Sequence, residues 1–194
     1  MKNDKPDMRD EYDFANARPL RYARTMTAAE REEILRRSAV FDAQFWFAHA
    51  LQQVQELEAT LYAFLSLALH RSPETAQEEA AAVLEGKDQP VINLLTSHME
   101  SLLSPRSEFD ERLRRLMGER NWLVHKGGFA LGPNATNWEA LAPLVSRFEA
   151  VATHAATLSA DLQDALQRRL AQTGVPAVEA QRRADEAKHR WLAA

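Results

Sequence analysis

Two long stretches of this chain, 40–71 and 144–172, contain neither glycine nor proline. Uninterrupted runs of that length leave few options, because a strand seldom exceeds ten residues and a helix can be far longer. Within the first, Phe47, Leu51, Val54, Leu57, Leu61, Phe64 and Ala68 recur at three- or four-residue steps, and Phe41, Phe45 and Trp46 widen the apolar face at its start. Along the second and the residues just before it, over 138–172, Trp138, Leu141, Val145, Phe148, Val151, Ala155, Leu158, Leu162, Ala165 and Leu170 do the same. That is the helical period. Pro143 is tolerated only in the first turn, so the regular helix is expected to begin there. No segment alternates with period two. The expected fold is all-α, an up-and-down helical bundle with an N-terminal arm and a C-terminal accessory helix. The two long helices, each spanning about 45 Å, are expected to pack antiparallel, with a helix over 108–125 crossing them.

The remaining punctuation divides the chain further. Residues 1–26 are polar, carry Pro6 and Pro19, and read as an extended arm ordered only by docking. Thr27 and Glu30 have capping-box spacing, which predicts a helix from there to about Ser38. Pro73 suits the first position of a short acidic helix ended by Gly86. A helix over 90–103 is broken by Ser104 and Pro105. Ser107 is expected to cap the next helix, and Gly127 and Gly128 to stop it before a loop over 127–137. The bundle therefore covers 27–174, and a last helix with Trp191 as its large anchor covers 175–194.

Composition removes several classes of function. With no cysteine there are no disulfides, cysteine-ligated metals or thiol catalysis. There is no long uncharged apolar run and no apolar leader after the first methionine, so the expected location is the cytoplasm, without a membrane. A net charge of −4 argues against a broad phosphate-coating surface. It leaves room for a small basic site. From Arg112 to Lys126 five basic residues (Arg112, Arg114, Arg115, Arg120, Lys126) face a single acid, Glu119.

That segment ends in ERNWLVHKGG, residues 119–128. Asn121 and His125 are four apart and share a helical face, so the amide can hold the imidazole in one tautomer. Arg120 and His125 are five apart, about 140° around an α-helix. One copy thus makes a divergent pair, whereas two copies across a two-fold axis surround one groove with two arginines and two histidines. Such a set suits metal-free RNA cleavage. His125 takes the proton from a ribose 2′-hydroxyl, and that oxygen attacks the adjacent phosphorus to leave a 2′,3′-cyclic phosphate. Arg120 lays a permanently charged fork on the phosphate oxygens. Arg112, Arg114, Arg115 and Lys126 are candidates for binding the RNA backbone, and Trp122 for stacking a base.

The pattern R-N-x-x-x-H near the end of a late bundle helix resembles the motif of the HEPN superfamily, over roughly residues 40–170. The resemblance implies an all-α domain that dimerises through the motif helix. It also implies a metal-independent endoribonuclease of a toxin–antitoxin or anti-phage defence type, with Arg120, Asn121 and His125 as the catalytic set. RNA, a second copy, and an antitoxin or other operon-encoded protein are its implied partners, and no cofactor is implied. The alternative is a non-catalytic scaffold of the same shape that binds RNA or protein. In the toxins that pair with nucleotidyltransferase antitoxins, a tyrosine follows the histidine by two residues. Gly127 stands there in this chain, so regulation through that tyrosine is not implied.

Competing readings apply to the other polar residues. No two of His49, His70, His98, His154 and His189 have the four-residue spacing of a helical metal site, and each reads as a surface or packed histidine. Glu56 and Glu58 read first as a solvated helix face, with orientation of His125 as the alternative. Trp122 reads first as packing, and the arginines as complements to the helix dipole.

Overall fold

The structure is a computed structural model that describes residues 26–102, 107–134 and 137–193. The N-terminal arm over 1–26 thus lies outside the described residues except for Met26. Among the described residues the secondary structure is helical, with no strand. In chain order the elements are α1 (Ala28–Ala68), α2 (Pro73–Leu84), α3 (Gln89–Leu102), α4 (Ser107–Trp122), a π-turn (Leu123–Gly127), α5 (Gly128–Asn134), a 3-10 turn (Trp138–Ala140), α6 (Leu141–Gln172) and α7 (Ala177–Leu192).

Local chemistry accounts for the helix ends. At the start of α1 the capping box is complete: the Glu30 amide donates to Thr27 Oγ1, and the Thr27 amide donates to the Glu30 carboxylate at 2.7 Å. The helix that follows is one element of 41 residues, and the expected break near Ser38 is absent. Nothing between Ser38 and Val40 opposes helix, and Glu33 binds both Arg36 and Arg37 across that turn. Ser72 caps α2 with Pro73 in its first turn. Asp88 accepts from the Val91 amide at the start of α3. Gly86 and Gly174 take φ of 71° and 81°, the left-handed conformation that ends α2 and α6 cheaply only with glycine.

The core is one cluster to which every long helix contributes. Phe64 and Phe148 are its largest fully buried side chains, each contributing about 2–3 kcal/mol through removal from water. Thr60 of α1 and Ser159 of α6 meet inside it, oxygen to oxygen at 2.9 Å.

Pairings along the seam fix its direction. Phe47 packs on Phe148 and Thr60 on Ser159, so α1 and α6 run parallel rather than antiparallel as expected. The chain between them explains the difference, because it descends in α4 before α6 begins. Arg112 pairs with Asp161 and Glu119 with Arg147, which sets α4 antiparallel to α6. In turn α7 runs back along α6 and α1, through Gln181 with Gln163 and Gln167 and through Lys188 with Glu56. Its Ala180, Ala184 and Ala187 are buried in the common core, so the C-terminal helix is built into the bundle.

Two expectations about the glycine pair at the end of α4 are corrected. Gly127 and Gly128 do not stop the helix, and 127–137 is not a single loop. The backbone widens into the π-turn and continues into α5, with Gly128 at φ −64° and ψ −40°. Gly127 is there for space: a Cβ on it would lie 2.8 Å from Phe47 Cε2 of α1.

Candidate functional site

The π-turn changes the geometry of the motif. In a turn closed by i→i+5 hydrogen bonds each residue advances less around the axis, so a position five along swings back toward the starting face. Arg120 lies just before this widened turn and His125 within it. Near both stands the carboxylate of Glu85, at the C-terminus of α2. The Lys87 ammonium beside Glu85 holds its carboxyl below the usual range, and Arg120 and His125 add to the same effect.

Arg120 is half-buried where α4 faces α1 and α2. One guanidinium nitrogen donates to Asn121 Oδ1 at 3.3 Å. Its Nε is buried without an acceptor among the described residues. Glu58 of α1 completes the surroundings. Burial pushes its carboxyl up, the Arg120 guanidinium pulls it down, and the Glu85 charge pushes it up again; the net direction is upward. Glu58 is thus a half-buried acid beside Arg120, whereas Glu56 is bound by Lys188 at 2.6 Å.

His125 and Lys126 are exposed, and with Gly118, Asn121 and Trp122 they line a shallow depression on the outward face of the helix. Asn121 shares that depression with His125. Among the described hydrogen bonds, though, its carbonyl oxygen is engaged by Arg120, and none joins it to the imidazole. Leu123 is fully buried. Val124, next to it in the widened turn, is 47% exposed.

The proposed RNA-contacting residues are dispersed in their engagements. Arg112 is held by Asp161 of α6 at 2.6 Å, Arg114 by Asp110 at 2.9 Å and Arg115 by Glu111 at 3.5 Å. The excess of positive charge read from the segment is therefore largely matched by neighbouring acids. The Trp122 ring carries the Arg147 guanidinium 3.5 Å from its centroid and lies 5.7 Å from the Phe148 ring. The face that a base would stack on is occupied by Arg147, which also binds Glu119 at 2.7 Å.

Two of the other histidines have local contacts. His49 stacks on Phe45, and His98 Nδ1 lies 2.9 Å from the Leu94 carbonyl. Among the described residues no group of three or more His, Cys, Asp or Glu side chains is placed to hold a metal ion. No described helix is long and apolar enough to cross a membrane.

Glu85 and Arg147 have no signature in the sequence near the motif. Glu85 precedes Gly86, which marks a helix end and gives no sign of what faces it. Arg147 sits on α6, and only the antiparallel docking of α4 brings it over Trp122.

Among the described residues, fold and site together define an all-helical bundle in which the end of α4 carries an arginine and the π-turn after it a histidine, with carboxylates from α1 and α2 nearby. No family model matches the chain, and no curated protein or solved structure matches it either.

Proposed function

We propose that this protein is a metal-independent endoribonuclease of HEPN type, cleaving RNA at a groove completed by a second copy. The observation that carries the reading is Arg120. It holds a buried N–H without an acceptor among the described residues, next to the turn that bears an exposed histidine. That Nε is itself closed to a ligand, and a phosphate oxygen would be met by the rest of the guanidinium fork. His125 then removes the 2′-hydroxyl proton, the 2′-oxygen attacks phosphorus, the 5′-oxygen leaves with a proton from a general acid, and a 2′,3′-cyclic phosphate remains. The second copy's histidine is suited to be that acid. Glu58 is near enough to act on the Arg120 guanidinium by its charge. Val124 and Phe129, exposed by 47% and 84%, flank His125 and give a second copy apolar surface to cover. A toxin or anti-phage role follows from the same resemblance.

One observation favours a non-catalytic scaffold instead. Arg112, Arg114 and Arg115 are engaged by acids, which weakens the field available to a polyanion. The deciding experiment is cleavage of a mixed RNA pool in EDTA by wild type, Arg120→Ala and His125→Ala, with product ends analysed. We expect cyclic-phosphate ends from wild type and at least a ~100-fold loss in each variant. Equal rates in all three, or no cleavage by wild type with binding retained, favours the scaffold.

A further inference from the structure

The parallel pairing of α1 and α6 leaves a groove along each side of the pair. α4 covers one side, with Arg112 on Asp161 and Glu119 on Arg147. α7 lies in the other. Its Ala180, Ala184 and Ala187 are buried, and its polar side chains reach both walls: Lys188 binds Glu56 of α1, and Gln181 binds Gln163 and Gln167 of α6. It runs antiparallel to α1 and ends at Leu192, one turn past Lys188, so it stops about level with Gln53. The groove continues beyond it. At about 100° per residue, Asp42, Trp46, His49 and Gln53 fall within about 60° of one another on α1. On α6, Glu149 and Thr153 share the face of Gln163 and Gln167, and Arg147 and Asp161 are at least about 120° around from Glu149. Two depressions of about 410 and 510 Å³ follow this face, from Gln53 and Thr157 up to Ala39 and Glu139.

We infer that this open half of the groove is the seat of a basic amphipathic helix from a partner protein, lying end to end with α7. Continuity is the first argument. The same two helices already hold a helix by a face of small residues, with an ammonium on a carboxylate at its edge. Length is the second. From Ala39 to Gln53 the groove rises by about 21 Å, room for about four helical turns. Charge is the third. Asp42, Glu139 and Glu149 line the open half, with no lysine or arginine beside them. Glu56 is bound by Lys188, whereas those three acids enter no ion pair among the described residues. The aromatic wall favours the same partner. The Trp46 ring stands edge-on to Phe45 and to His49, 5.6 Å from each, and Phe45 at the rim is 53% exposed. Such rings anchor an apolar face and attract a lysine or arginine. The acids select a basic helix over an acidic one, and they repel a nucleic acid. This surface is therefore separate from the proposed cleavage site on the α4 side.

The probe is a synthetic helix of about four turns, with alanine and leucine on one face and lysine on both flanks. It is titrated into the full chain and followed by fluorescence anisotropy. A control peptide carries glutamate in place of each lysine. Wild type should bind the lysine peptide and not the glutamate peptide. Asp42→Lys with Glu149→Lys, both at exposed positions, should weaken binding of the lysine peptide at least about tenfold and admit the glutamate peptide. Ser146→Tyr with Thr153→Tyr, on the exposed face of α6, should block the groove while leaving the acids in place. Melting by circular dichroism checks that each variant folds. No binding by wild type, equal binding of the two peptides, or binding that survives charge reversal overturns the inference. So does a wild-type dimer that the tyrosine pair splits, seen by sedimentation, because a second copy then fills the groove. Arg120 and His125 are untouched in these variants, so RNA cleavage should be unchanged and the two readings fail separately.

Discussion

Gly127 and Phe47 lie closer than any other residue pair would allow at that point: a Cβ on the glycine would stand 2.8 Å from the phenylalanine ring. The contact locks the turn that carries His125 against α1, and Phe47 is itself backed by Phe148 at 5.4 Å. Gly127→Ala should cost about 1–3 kcal/mol through overpacking. Gly128→Ala, at a helical φ with its nearest neighbour at 3.6 Å, should be neutral or stabilising by up to about 1 kcal/mol. Chemical denaturation of the two variants separates a packing requirement from a conformational one, since a helix-ending role would make Gly128 the sensitive position.

Arg147 fastens α4 to α6 twice, over the Trp122 ring and onto Glu119. Arg147→Ala should lower stability by about 1–2 kcal/mol. Arg147→Lys should recover little of it, because an ammonium cannot lie flat on the indole while reaching the carboxylate. Recovery of full stability by the lysine variant, measured by urea denaturation, would refute the stacking role.

Thr60 and Ser159 form an asymmetric buried pair. Thr60 Oγ1 donates to the Glu56 carbonyl at 2.8 Å, which leaves Ser159 as donor to Thr60. Ser159→Ala leaves Thr60 satisfied and should cost about 0.5–1 kcal/mol. Thr60→Val strands the Ser159 hydroxyl in the core and should cost about 1–3 kcal/mol. Combining the two should cost less than their sum, and a double-mutant cycle measures the difference.

Glu58 sets a pH dependence whose sign follows from its raised carboxyl. Its folded-state value lies above the ordinary 4.5, so its contribution to stability is fully present below that pH and lost as pH rises through the folded value. Glu58→Gln holds the side chain neutral. It should therefore melt no lower than wild type at pH 7, with the difference closing below about pH 4.5. If it guides Arg120 as proposed, the same variant should cleave RNA more slowly despite its intact fold. A lower melting midpoint at pH 7 would mean that the charge attraction of Arg120 outweighs burial.

The helical class of this protein, most of its helix ends and the arginine–histidine segment are all legible in the sequence. Each depends on neighbours three to five residues away: the Thr27–Glu30 box, Pro73 after Ser72, the three- and four-residue steps of α1 and α6. Tertiary structure decided the rest. It made α1 and α6 parallel, because direction depends on how the chain returns through α4. It turned the glycine pair from a stop into a close contact, because Phe47 lies eighty residues away in sequence. It set Glu58 and Glu85 around Arg120 and Arg147 over Trp122. Periodicity tells which side of a helix is apolar; only packing in three dimensions tells which charge another helix brings against it.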